Sequence, residues 1–246
     1  AGPPGGGGVT APFEVARAQR AASHGRPDHL TRTAAEPRAD RISDARIVAV
    51  REETPTVREL ELEVSAPDFV FRPGNWVDFF IAEEPKVGGY SMCSTPAELP
   101  RLRLAVKRSR HPPAAWCHSA AAAAGAVVQL KAGGSFDWDP ARDGGLAEHL
   151  LLVAGGIGIN PLYSIAQAAL AAPRAAVPRL RRVSLLYSAA TPDELAFRGH
   201  LEELARSDER FELDLRVTRC GTSGSSWSGP TSRIDAEVLR AAVGGA

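Results

Sequence analysis

The chain has 246 residues with 29 basic and 29 acidic side chains, so its formal net charge is zero and a nucleic-acid partner has no electrostatic support. Its hydrophobic share of 44% is that of a globular protein, and no apolar run approaches the ~20 residues that span a bilayer. The three cysteines, Cys93, Cys117 and Cys220, are scattered and odd in number, which argues against a disulfide framework or a structural zinc site and fits a reducing compartment.

Residues 1–41 open with AGPPGGGG and continue through Arg, Ala, Pro and Ser without apolar periodicity. Such a segment cannot bury enough surface to offset its ordering entropy and is predicted to be disordered. Its arginines (Arg17, Arg20, Arg26, Arg32, Arg38) and lack of lysine give it the composition of a targeting remnant, so a mitochondrial address is expected, with the cytoplasm as the alternative. The only methionine is Met92, so the initiator is expected to be missing.

From residue 42 the pattern turns to strands. ARIVAVREE and TVRELELEV are separated by Thr54-Pro55, and FVFRPGNWVDFFI carries Pro73-Gly74 as a turn between apolar halves. LRLAVKRS alternates apolar with basic residues, and AVVQLKAGGSFDW is a further strand. Between those two, HPPAAWCHSAAAAAG reads as one helix with proline in its first turn and Gly125 as its stop. Several short strands with a single helix predict a small antiparallel Greek-key barrel over residues 42–140. Within it, VGGYSMCSTP places Tyr90 and Ser91 at the end of an apolar run, where a flat aromatic ligand is stacked and hydrogen-bonded, or where Tyr90 is simply a core tyrosine.

The second half alternates strands with helices: a buried strand over 149–154, a helix over 159–171, a second strand RRVSLLYSA, a second helix TPDELAFRGHLEELARS with Thr191 as N-cap and Glu194 at capping-box spacing, and a third strand FELDLRVT. This is the signature of a parallel sheet with helices on its faces, over residues 148–246. Between the first strand and helix lies Gly155-Gly156-Ile157-Gly158-Ile159-Asn160-Pro161. Backbone N–H groups and missing side chains at such a turn admit a pyrophosphate, although glycines there also serve to pack a strand closely on a helix.

In order and spacing these segments resemble the ferredoxin–NADP reductase-like flavoprotein reductases. FRPGNWVDFFI is similar to that family's Pro-Gly-Gln strand, YSMCSTP to its Tyr-Ser…Ser-x-Pro flavin motif, VAGGIGINPL to its Gly-Gly-x-Gly-x-x-Pro nucleotide turn, and Ser232-Arg233-Ile234 to its Gly-Arg-Ile. The resemblance implies an N-terminal FAD-binding barrel and a C-terminal NAD(P)-binding α/β domain. It implies that Tyr90 stacks on the isoalloxazine with Ser91 near flavin N5. It assigns the nicotinamide nucleotide to Gly155, Gly156, Ile157, Gly158, Ile159, Asn160 and Pro161, and its adenosine end to Tyr187 and Ser188. The basic residue that often marks NADP is Ala190 here, so NAD is expected, with NADP still served if Arg198 or Arg216 supplies the charge.

Three departures qualify the resemblance. The family arginine two residues before the tyrosine, which pairs with the FAD pyrophosphate, is Gly88. The second phosphate turn contains Pro112 and Pro113, which lack backbone donors, so FAD affinity is in question. The family's closing elements would lie beyond Ala246, so the α/β domain is expected to be incomplete; Cys220-Gly221 sits one element too early to be its Cys-Gly-Pro turn. The expected function is hydride transfer between NAD(P)H and a flavin, with electrons passing to an unknown acceptor; the alternative is a nucleotide-binding or regulatory module on a reductase scaffold. No metal-ligand spacing is found among the histidines.

Overall fold

A computed structural model describes residues 28–143, 147–219 and 227–244. Its first layer is six antiparallel strands: β1 (Ser43–Thr54), β2 (Val57–Val64), β3 (Trp76–Ile81), β4 (Glu84–Ser91), β5 (Arg101–Lys107) and β6 (Val127–Gly133), in the order β4-β3-β6-β1-β2-β5. An isolated bridge between Met92 and Leu104 returns the end of β4 to β5 and closes the sheet into a barrel. The alternation read in the sequence is the reason: Leu60, Leu62 and Val64 of β2 and Leu102 and Leu104 of β5 face a common core with Ile47, Val77, Phe79 and Leu130. The opposite face of the same strands carries cross-strand ion pairs, Arg51 to Glu59 and Glu61, and Arg103 to Glu59. Gly74, at φ +102°, makes the turn that feeds β3; a side chain there would meet the Phe136 carbonyl at 2.8 Å.

The second layer is a parallel sheet of β7 (His149–Gly155), β8 (Arg182–Ala189) and β9 (Phe211–Val217), flanked by α3 (Ile159–Ala171), α4 (Arg198–Ser207) and α5 (Ala236–Gly244). The barrel carries α2 (Pro112–Cys117), and α1 (His29–Arg32) precedes β1. The predicted fold class, a Greek-key barrel followed by a parallel α/β unit, is the one observed.

A polar stripe on α3 joins the two layers. Asn160, Ser164 and Gln167 are spaced i, i+4, i+7 and so share one face of the helix. Each donates to a barrel carbonyl: Asn160 to Ala105 at 2.7 Å, Ser164 to Ser94 at 2.7 Å and Gln167 to Cys93 at 3.1 Å. Val57, Cys93 and Ala105 of the barrel are buried in the same cluster as Leu162, Ile165 and Ala166 of α3, so these bonds lie beside an apolar seam.

Several sequence expectations are corrected. The alanine-rich helix stops at Cys117 rather than Gly125: Arg58 bonds the Cys117 and Ser119 carbonyls, and the His118 ring bonds the Val106 carbonyl, which draws the chain off the helical path. The single helix after β8 is two pieces, a short 3-10 turn at Pro192–Glu194 and then α4. Glu194 does not complete a capping box; its carboxylate crosses to the barrel, accepting from Thr56 at 2.5 Å and lying 3.4 Å from Lys107. Between the pieces Phe197 is left-handed (φ 61°), a conformation costly for a non-glycine residue. The Glu53 carboxylate, which accepts its N–H, and the Tyr163 ring, stacked at 4.5 Å, hold it there.

The expected disorder of residues 1–41 also fails over its second part, while residues 1–27 lie outside the described residues, as does Cys220. From Asp28 to Arg38 the chain is a strap on the outer face of the barrel. His29 Nε2 bonds Asp78 Oδ1 at 2.8 Å, Arg38 Nε donates to Asp78 Oδ2 at 2.7 Å, and the Trp76 ring lies against both. Polar and cationic contacts rather than an apolar stripe order this segment, so periodicity gave no sign of it. Burial opposes ionisation of Asp78, which is 1% exposed, but the two bonds outweigh it and hold its carboxyl below the usual range. Its folded value is depressed, so the stability it confers is complete above the ordinary carboxylate value of ~3.9 and is lost as pH falls through the folded value. Asp78→Asn should cost about 3 kcal/mol and release the strap at neutral pH, read as faster hydrogen exchange over residues 28–38; unchanged exchange would contradict the arrangement.

Candidate functional site

The C-terminal end of β7 and the ends of β4 and β5 meet at one cavity of about 500 Å³, within the ~300–1,000 Å³ of ordinary ligand sites. Tyr90 and Ser91 close one side of it, and Ile157, Gly158, Asn160 and Pro161 the other. Lys107, Arg108, Ser109 and His111, where β5 runs into α2, form the rim between them. Two motifs more than sixty residues apart in the chain therefore face each other across the seam that the α3 stripe fixes.

The glycine turn is a 3-10 turn, Gly156–Gly158, leading directly into α3. Only Gly156, at φ +52°, needs glycine for its backbone. A side chain built on Gly155, Gly156 or Gly158 would meet no protein atom within 4 Å. Close packing of strand on helix therefore does not account for these glycines; the space over them is open to a ligand. Asn160 spends its amide on Ala105, while its Oδ1 is buried without a partner. Ile157 and Pro161 give the same wall an apolar surface. The turn thus fits a dinucleotide.

The Tyr90 side is less simple. Its ring folds back over Gly88: a Cβ at position 88 would lie 2.5 Å from the tyrosine Cε2. The ring also packs edge-on against Phe79 at 5.5 Å, with Trp116 beyond it at 6.1 Å from Phe79. The Tyr90 hydroxyl is buried beside Cys117 without a hydrogen bond of ordinary geometry, and burial disfavours ionisation of both groups, pushing the thiol pKa up to about 12. On the other face of β4, a Cβ at Gly89 would overlap the His29 ring at 2.2 Å. The glycine pair is thus required twice: Tyr90 occupies the space over one, the strap the space over the other. An arginine at position 88 would expel the tyrosine ring rather than simply add a charge.

The remaining sequence candidates divide. Ser188 is half-buried near the carboxyl end of β8, next to the turn through its register with Gly155. Tyr187 is fully buried, and its hydroxyl accepts the Ala196 N–H, so it is a core residue and does not reach a ligand; the alternating faces of β8 explain the miss. The Ile159 side chain is also in the core, leaving only its backbone in the turn. Arg216 is held by Asp214 and Ser232, and Arg198 by Glu202 and the Trp227 ring, so both arginines expected to be available for a 2′-phosphate are engaged. Sequence reasoning missed that Asn160 braces the turn against the barrel; the only sign was its position beside the glycines.

Residues 152–245 match the model of the oxidoreductase NAD-binding domain. A zebrafish (Danio rerio) protein, oxidoreductase NAD-binding domain-containing protein 1, is 39% identical over 89% of this chain and 84% of its own length. The chain belongs to the ferredoxin–NADP reductase-like family. The bovine (Bos taurus) protein of the same name is 41% identical over 79% of this chain, and the match spans only 65% of that protein. Among solved structures, a ferredoxin NADP+ reductase from Neisseria gonorrhoeae with bound FAD and NADP shares the fold at a TM-score of 0.65, with 20% identity over 84% of this chain and 79% of that one. Among the described residues no helix is long and apolar enough to cross a membrane, and no group of three His, Cys, Asp or Glu side chains is placed to hold a metal ion.

The two glycine sites predict opposite results. Gly88→Ala should destabilise the fold by about 1–3 kcal/mol in denaturant titration, because the Tyr90 ring must move. Gly158→Ala should leave stability within ~0.5 kcal/mol yet weaken NADH binding at least severalfold by calorimetry, because its Cβ would enter only ligand space. A stability loss at 158 with NADH affinity intact would return that glycine to a packing role.

Proposed function

We propose that this protein is an NAD-dependent flavin oxidoreductase, with nicotinamide nucleotide on the 155–161 turn and FAD against Tyr90 and Ser91. The observation that carries the reading is the shared cavity: the open glycine turn and the Tyr90-Ser91 edge line opposite sides of one cavity of about 500 Å³. When bound, the nicotinamide and the flavin supply the hydride chemistry. The protein's part is placement. The turn holds one dinucleotide by backbone N–H groups without side-chain obstruction. Tyr90 offers a ring edge and Ser91 a hydroxyl toward the flavin, while Ile157 and Pro161 keep water from the gap. The α3 stripe fixes the distance between the two halves.

NAD is favoured over NADP because Ala190 offers no charge and Arg198 and Arg216 are already paired. One observation favours the second reading, a nucleotide-binding or regulatory module: with Tyr90 folded over Gly88, position 88 of β4 presents no cation to a flavin pyrophosphate.

A single preparation separates these readings. Purified protein should be yellow or become so with added FAD, and anaerobic NADH should bleach it. Protein that binds NADH but retains no flavin would establish the regulatory reading. NADH should bind at least tenfold more tightly than NADPH; the reverse preference would assign the 2′-phosphate to Arg219, whose N–H bonds the Ala190 carbonyl.

A further inference from the structure

Helix α5 lies on the parallel sheet without burying any of its own residues. A cavity of about 210 Å³ separates Val238, Ala241 and Ala242 of the helix from Ser184, Leu186 and Glu212 of the sheet, so apolar packing contributes little to holding it there. Its C-terminal end is tied by a side chain at the start of β8. Arg182 Nη2 donates to the Ala242 carbonyl at 3.0 Å and lies 3.5 Å from the Val243 carbonyl. A cation suits that place, because the last carbonyls of a helix have no partner within it. The same nitrogen lies 3.1 Å from His149 Nδ1, and from there a chain of bonds crosses all three strands. His149 Nε2 bonds Ser184 Oγ at 2.9 Å, and Ser184 donates to Glu212 Oε2 at 2.8 Å.

The two ends of this chain dictate where its protons lie. An ionised Glu212 can only accept, so Ser184 gives it the hydroxyl proton, and His149 Nε2 must then carry the proton donated to Ser184. That leaves Nδ1 as a bare acceptor for Arg182, whose guanidinium can only donate. The network therefore needs the neutral imidazole. Burial first, and then the Arg182 charge, hold the His149 pKa below its ordinary value of ~6.5, with Glu212 as the opposing charge. Arg182 and Glu212 themselves lie 3.8 Å apart, Glu148 beside His149 is exposed and paired with Arg179, and α5 brings only apolar side chains to the cavity beneath it. We propose that His149 is a pH-sensitive catch for α5: protonation puts a hydrogen on Nδ1 facing the Arg182 guanidinium, displaces that side chain from the Ala242 and Val243 carbonyls, and releases the helix from the sheet. The folded value is depressed, so docking is complete above ~6.5 and is lost as pH falls through the folded value. The catch is independent of the cofactor reading, because His149 begins β7 whereas the glycine turn follows its other end.

The test is hydrogen exchange of the whole chain by mass spectrometry, compared as protection factors from about pH 8 to about pH 5. In the wild type, protection over residues 239–244 should fall roughly tenfold or more on acidification, while β2 and β5 keep theirs. His149→Phe and Arg182→Ala break the tie from either side, so in each the helix should be weakly protected at every pH and lose its pH dependence. An NMR titration of the His149 imidazole should give a midpoint below ~6.5 in the wild type and a higher one in Arg182→Ala, where the repelling charge is gone. Wild-type protection that does not change with pH, or free exchange of α5 already at the alkaline end, would overturn the catch. So would a pH dependence that survives in either variant. An equal loss over β2 and β5 would make the transition global unfolding and overturn it as well.

Discussion

The candidate site lies where the two layers meet, and three hydrogen bonds from one face of a helix are central to that contact. Asn160, Ser164 and Gln167 deliver side-chain donors to the carbonyls of Ala105, Ser94 and Cys93, which belong to the segment leaving β4 and to β5. Those carbonyls sit beside Tyr90 and Ser91, and the helix begins at the glycine turn. A contact that joins the layers thus also borders the cavity. Side-chain amides and a hydroxyl suit the task because a mismatch would leave buried carbonyls unpaired, a penalty that selects one docking geometry over its neighbours.

A second constraint is the use of β4 from both sides. A strand edge that carries a catalytic or cofactor-binding side chain usually spends its neighbouring positions on support. Here the support is space: Gly88 receives the Tyr90 ring and Gly89 receives the His29 ring. The cost is that neither position can contribute a charge. The buried Asp78 network stands behind this arrangement, since it holds the strap to the barrel by two charge-assisted bonds rather than by an apolar surface.

Most of the architecture was legible in the residues. Period-two alternation in TVRELELEV and LRLAVKRS gave barrel strands; the continuous apolar run before Gly155 gave a parallel strand, but not the buried one expected, because β7 lies at the edge of its sheet and Val153 is 45% exposed. The helix 159–171 was placed correctly by its glycine start. The errors share a cause. The alanine run after Cys117 has high helix propensity, but hydrogen bonds from Arg58 and His118 compete for its last carbonyls. Thr191 and Glu194 have capping-box spacing, but Glu194 finds better partners on the barrel. Tyr187 was placed at a ligand by its position along β8, whereas its side of the strand buries it.

The sequence by itself determined the two layers, the glycine turn and the pairing of Tyr90 with Ser91, because these follow from local periodicity and from residue types whose chemistry does not depend on distant neighbours. Only the tertiary structure decided what the glycines are for. Gly155 and Gly158 border open space and Gly88 and Gly89 border filled space, a distinction that depends on which distant side chains arrive there. The same holds for the strap: Asp28 to Arg38 has no pattern of its own and is ordered only because Asp78, forty residues on, is buried where His29 and Arg38 can reach it.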